Sequence, residues 1–179
     1  MPVAATPGTW TLEQLHSLPD DGNKYELVRG ELFVTPAPSR LHEFIGARLA
    51  QALTPYVASQ GLGYVFRPRA VVRLGGSEVE PDLFVRQENA PHLDWDSAPV
   101  PSLVIEILSP TTRRRDRMQK RQLYLDAGVG EYWIVDPESA TVTVARGDGS
   151  IVPARDVVRW SPAGATAALE VRLDDVFGL

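Results

Sequence analysis

The sequence predicts an α/β fold, a central mixed β-sheet flanked by helices and preceded by an N-terminal hairpin, and three observations carry that prediction. Leu103-Val104-Ile105-Glu106-Ile107-Leu108 is apolar at both alternating sets of positions, the pattern of a central strand covered on two faces. A helical stretch closed by Gly128 and a β-rich run over Glu131–Val135 follow it, an order that suits parallel neighbours joined by a crossover. Near the start, Tyr25–Val28 and Glu31–Thr35 flank Arg29-Gly30, whose glycine supplies the freedom a tight turn needs.

The remaining elements follow in order. Thr11-Leu12-Glu13-Gln14 has capping-box spacing and starts a short helix towards Leu18. After Pro36-Ala37-Pro38, Ser39 caps a long helix ending around Ser59, with Leu41, Ile45, Leu49, Ala52 and Tyr56 on one face. Tyr64–Arg67 and Ala70–Leu74 read as strands around Pro68, and Val79–Val85 as another, with Pro81 suggesting an edge or a strand end. The stretch from Gln87 to Pro101 has no period and is expected to be an exposed loop. The second helix starts near Thr112 or Asp116 and runs to Ala127. Thr141–Arg146 returns antiparallel after the turn at Asp136-Pro137-Glu138, and Leu169–Phe177 adds a strand or a short helix. The tryptophans Trp10, Trp95, Trp133 and Trp160 are expected to pack rather than to stack on a ligand.

Composition narrows the function. The 179 residues, 44% of them hydrophobic, suit one domain over 1–179 with a sizeable core. The absence of cysteine removes disulfides, thiolate zinc sites and cysteine nucleophiles, and it fits a cytoplasmic location. Three scattered histidines make an all-protein zinc cage a poor reading. Met1–Gly8 has neither a basic start nor a long apolar run, so no signal peptide or membrane span is expected. A net charge of −5 confines any nucleic-acid contact to a local patch.

Three residues carry the chemistry. Glu106 shares its strand face with Val104 and Leu108, where an isolated charge would cost several kcal/mol of desolvation, so it requires a cation of the protein or a bound divalent metal. Asp82 follows Pro81 at the expected strand end. Lys120 lies in register with Leu123, Tyr124 and Ala127 on the helical stripe that faces the sheet, where it either meets a carboxylate or snorkels to water. Asp116 either caps this helix with Gln119 or pairs with Lys120 one turn on.

Pro81-Asp82, with Glu106 in a hydrophobic strand 24 residues later, resembles the PD-(D/E)XK nuclease pattern. The lysine usual two residues after the acid is Leu108 here, and Lys120 on the following helix resembles the migrated lysine of some branches. Further segments extend the resemblance over nearly the whole chain: Tyr25-Glu26-Leu27-Val28-Arg29-Gly30-Glu31, Ser109-Pro110-Thr111-Thr112, Asp116, Tyr124 and Glu131-Tyr132-Trp133. With these the chain is similar to the bacterial group of Uma-type restriction endonucleases, a domain-of-unknown-function family. The resemblance implies a restriction-endonuclease-like fold, often assembled as a homodimer, and an endonuclease acting on DNA.

Hydrolysis of a phosphodiester needs a nucleophile and stabilisation of charge on the phosphoryl and leaving oxygens, which divalent metals supply. Asp82 is expected to be the bridging ligand of Mg²⁺ or Mn²⁺, Glu106 the second ligand and the Ile107 carbonyl the third, while Lys120 polarises the attacking water. Glu31, Glu26 and His42 are the further candidates for the metal site. Glu26 and Glu31 also read as solvent-facing hairpin residues, the favoured reading for Glu26, and His42 as a packed residue at a helix start. Arg113, Arg114, Arg115, Arg117 and Arg121 form either a solvated basic face or a phosphate-holding patch. A non-catalytic protein that keeps the fold and binds nucleic acid, or serves an assembly, stands as the alternative, since no sequence-reading module is visible.

Overall fold

The computed structural model describes residues 9–88, 94–109 and 114–178, the side chains of 114–117 excepted. Strands β1 (Lys24–Val28) and β2 (Glu31–Thr35) form the hairpin, and Arg29 and Gly30 both take positive φ, 50° and 84°, as a two-residue type I′ turn requires. β4 (Val72–Leu74) and β5 (Ser77–Val79) join them in a four-stranded sheet of order β2-β1-β5-β4. A six-stranded sheet has the order β10-β9-β8-β7-β6-β3. It combines β3 (Tyr64–Phe66), β6 (Leu83–Arg86), β7 (Leu103–Ile107), β8 (Glu131–Asp136), β9 (Thr141–Arg146) and β10 (Ile151–Ala154). β11 (Val157–Trp160) and β12 (Leu169–Arg172) pair separately.

Among the described residues four α-helices complete the fold: α1 (Leu12–His16), α2 (Arg40–Ser59), α3 (Arg114–Asp126) and α4 (Leu173–Phe177). α1 carries the Thr11–Gln14 capping box, and the Ser39 side chain caps α2 by accepting from the His42 backbone N–H at 3.2 Å. As the crossover predicts, β7 and β8 are parallel with α3 between them, and β9 returns antiparallel. Gly130, where this crossover re-enters the sheet, tolerates no side chain, because a Cβ there would lie 2.6 Å from the Ser102 carbonyl oxygen. No described helix is long and apolar enough to cross a membrane.

β7 separates two apolar clusters by strand alternation. Leu103, Ile105 and Ile107 point to one side with Ile45, Leu49 and Leu53 of α2, Trp133, and Val176 of α4. Val104 points to the other with Leu123 and Tyr124 of α3, Tyr132, and Val28 and Val79 of the smaller sheet. Glu106 shares the face of Val104.

Several expectations are corrected. The run Val79–Val85 is not one strand: β5 ends at Val79, β6 begins at Leu83, and the two belong to different sheets. Pro81, which lacks a donor for a ladder, lies in the joint, and because β6 is flanked by β3 and β7 it is no edge. β3 and β4, the two runs that flank Pro68 in sequence, enter different sheets. The loop after Gln87 contains a 3₁₀ turn, Trp95–Ser97. Leu41 is half exposed, and the buried stripe of α2 is Ile45, Leu49, Leu53 and Val57. Asp116 lies inside α3 and not at its cap, since the helix already includes Arg114. β10 and β11 went unread because Pro153 and a polar surround hide their alternation. The tail holds both a strand and a helix. Trp133 and Trp160 are core residues, as expected.

Candidate active site

The strand–joint–strand path from β5 to β6 puts Asp82 immediately before β6, one step beyond the Leu83–Ile105 pair and so opposite Glu106 of β7. The Ile107 backbone N–H donates to Asp82 Oδ2 at 2.7 Å, and His42 Nε2, in the first turn of α2, lies 3.1 Å from the same oxygen. Asp82 is therefore fixed through Oδ2, while Oδ1 faces the Lys24 ammonium at 3.8 Å.

Glu106 reaches the opposite partners. Its Oε1 accepts from Lys120 Nζ at 3.0 Å and from the Tyr124 hydroxyl at 2.9 Å, both one helical turn apart on α3. Lys120 also donates to both oxygens of Glu26, at 2.7 and 2.8 Å. Glu26 accepts in addition from the Glu80 backbone N–H at 2.9 Å. One ammonium thus ties a strand of the smaller sheet to the central strand of the larger one. The reading of Lys120 as a snorkelling side chain is overturned, since Asp82, Glu106 and Lys120 are each 8% exposed and Glu26 only 1%. The solvent-facing reading of Glu26 fails with it: β1 is central in its sheet, so the face carrying Glu26 and Val28 is covered.

Burial and charge oppose one another at each group. For Glu26, burial favours the neutral acid, but Lys120 and then Lys24 outweigh it and hold the carboxyl below its ordinary value. Asp82 is likewise lowered, with burial offset first by the His42 hydrogen bond and then by Lys24. At Glu106 burial wins: Lys120 and Lys24 do not fully compensate, Asp82 and Glu26 add repulsion, and the carboxyl is raised. Lys120 is raised because Glu106 and Glu26 outweigh its desolvation, and His42 because its bond to Asp82 does the same. Burial, then Glu106, pushes the Tyr124 hydroxyl well up, so it remains a donor. Fully ionised, three carboxylates face two ammonium groups and the His42 imidazolium, and with His42 neutral the cluster carries one negative charge in excess.

The donor set fits a hard divalent ion. Asp82 and Glu106 supply oxygens from adjacent strands, next to the Ile107 peptide. Among the described residues no three His, Asp or Glu side chains converge into a cage, so an ion here would have two carboxylates and water for its shell. Glu31 stands apart, exposed at the start of β2 opposite Val28 and not in contact with Asp82 or Glu106. Arg121 is half-buried on α3. Arg113 lies outside the described residues, as do the side chains of Arg114, Arg115, Asp116 and Arg117. Lys24 was missed by sequence reasoning, although its alternation with Glu26 and Val28 places it on the same strand face; Tyr124 was read only as a packing residue.

A second buried charge lies elsewhere. Arg86, 2% exposed, sits among the rings of Phe66, Phe84 and Trp95, with its guanidinium carbon 4.8, 5.3 and 5.2 Å from their centroids, and pairs with Glu88 at 2.8 Å. A cavity of about 480 Å³ lined by Tyr64, Phe66, Arg86 and Trp95 adjoins it.

None of the curated proteins matches the chain closely enough to count as a relative. A crystal structure from Anabaena variabilis ATCC 29413, described as a "putative nuclease belonging to DUF820", superposes with a TM-score of 0.78 at 22% identity, covering 94% of this chain and 98% of that one. The fold is thereby the restriction-endonuclease-like fold that the sequence resemblance implied. The joint at Pro81-Asp82, the acid of β7 and the lysine of α3 all lie within residues 12–172, which match the family model Uma2, described as "Putative restriction endonuclease", and the chain belongs to that family.

Proposed function

We propose that the protein is a metal-dependent endonuclease that hydrolyses DNA phosphodiester bonds. The observation that supports this most is the convergence of Asp82 and Glu106 from adjacent strands beside a buried lysine of a third element. Folding alone gives little reason for three carboxylates at this depth, because buried ion clusters are often no more stable than apolar packing. Mg²⁺ or Mn²⁺, held by Asp82, Glu106 and the Ile107 carbonyl, would supply charge stabilisation at the phosphoryl oxygens and acidify water.

The chain's own residues do the rest. The Ile107 N–H and His42 orient Asp82, leaving Oδ1 for the ion. Tyr124 and Lys120 fix Glu106. Lys120, whose N–H donors are engaged by Glu26 and Glu106, would polarise the attacking water through the field of its charge, and the arginines at 113, 114, 115, 117 and 121 would hold the DNA backbone through phosphate contacts.

Calorimetric titration of Mn²⁺ and Mg²⁺ into the wild type and Glu106→Ala, paired with cleavage of supercoiled plasmid, tests this reading. Binding and nicking that both vanish in the variant support it. Metal binding without nicking in the wild type points to a nuclease fold used for binding, and no metal binding overturns the proposal.

A further inference from the structure

Lys24 and Lys120 lie at one cluster but are spent differently. An ammonium has three N–H donors. On Lys120 all three are taken at hydrogen-bond distance by carboxylate oxygens, two of Glu26 and one of Glu106. On Lys24, at the start of β1, one is directed at the neutral Glu80 carbonyl at 3.0 Å. The carboxylates it faces, Asp82 Oδ1 at 3.8 Å and Glu26 Oε2 at 3.9 Å, lie beyond hydrogen-bond reach. Its side chain is 20% exposed, twice the value for Lys120.

Resting on the nuclease reading above, we propose that Lys24 is a catalytic residue that contacts a non-bridging oxygen of the scissile phosphate. Before an ion arrives, its charge stands beside Asp82 Oδ1, the oxygen that Ile107 and His42 leave open. A divalent cation bound there repels the ammonium, and a phosphodiester attracts it. With three carboxylates, two lysines, a neutral His42, one divalent ion and one phosphate, the charges of the assembled site cancel. Lys120 keeps its place throughout, because leaving would uncover Glu26 and Glu106 together. The two lysines thus divide the work: one holds the carboxylates, and the other meets the substrate.

The test compares wild type, Lys24→Met and Lys24→Arg in three measurements: Mn²⁺ affinity without DNA, cleavage of supercoiled plasmid, and duplex binding in Ca²⁺ over a salt series, with circular dichroism confirming the fold. Lys24→Met should bind Mn²⁺ severalfold more tightly, because a competing cation is gone, while cleavage falls about a hundredfold or more. Its plot of log affinity against log salt should lose about 0.9 of slope, the equivalent of one phosphate contact. Lys24→Arg should restore that slope. Unchanged slope and cleavage in a folded Lys24→Met, with an active wild type, overturn the assignment of Lys24 alone. A wild type that binds neither Mn²⁺ nor DNA overturns the nuclease reading and this inference together.

Discussion

Arg86 and Lys120 are both cations buried on the same side of the six-stranded sheet, yet their surroundings differ in kind. Arg86 is enclosed by three aromatic rings and matched by one carboxylate, so its charge is settled locally. Lys120 is held between two carboxylates, with a third nearby that Lys24 and His42 share. Arg86 and Glu88 balance one for one, whereas the acid cluster, with His42 neutral, holds one carboxylate in surplus. Depth alone therefore does not mark a functional charge; imbalance among neighbours does.

Substitutions can break that contrast. The largest effect is expected from Asp82→Ala and Glu106→Ala, each lowering plasmid cleavage by more than about a hundredfold, the upper end of the cost of losing a residue that merely supports a metal ligand. Lys120→Met leaves two buried carboxylates facing each other and should cost about 3–5 kcal/mol in urea unfolding. The double variant Arg86→Met with Glu88→Gln removes a matched pair together, so its stability should stay within about 1 kcal/mol of wild type and its Mn²⁺ affinity should not move.

The two acids that share Lys120 sharpen the comparison through pH. Glu26 is lowered in the folded state, so its contribution is present above the ordinary carboxyl value of 4.5 and is lost as pH falls through its lowered value. Glu26→Gln should accordingly be less stable than wild type at pH 7, with the gap closing in acid. Glu106 is raised, so the wild type loses stability as pH climbs from 4.5 through the raised value. Glu106→Gln, which keeps an acceptor for Lys120 and Tyr124, should gain on wild type over that rise while Mn²⁺ binding is lost. Urea midpoints at about pH 3, 5 and 8 decide both signs, the lower pair for Glu26 and the upper pair for Glu106, and parallel pH profiles for the two variants would contradict the assignment.

Much of this was legible in the sequence, for identifiable reasons. Glu106 stood out because strand alternation put one charge among apolar neighbours, and Lys120 because helical spacing aligned it with Leu123 and Tyr124. The hairpin, the two helix caps and the β7–α3–β8 crossover are set by contacts a few residues apart or by one periodicity, and they were read correctly. Glu26 was misjudged because its cover comes from α3, some ninety residues away, and Lys24 was missed because its partners lie in the joint at Glu80 and Asp82; no local pattern encodes either approach. The split at Pro81 was seen as a strand end but not as a change of sheet, which depends on which partners the two halves find.

That change of sheet has a mechanical side. Asp82 sits in the joint between the two sheets, and Lys120 is the bolt across it, with Glu26 on one leaf and Glu106 on the other. An ion or a phosphate bound at the joint acts as a latch, because whatever binds only the closed arrangement adds its binding free energy to the docking of the leaves. Amide exchange in β1 and β2 should therefore slow on metal addition, more than in β8 and β9, which lie wholly within the larger leaf. The hairpin, seemingly peripheral to the chemistry, becomes the part of the molecule that feels it first.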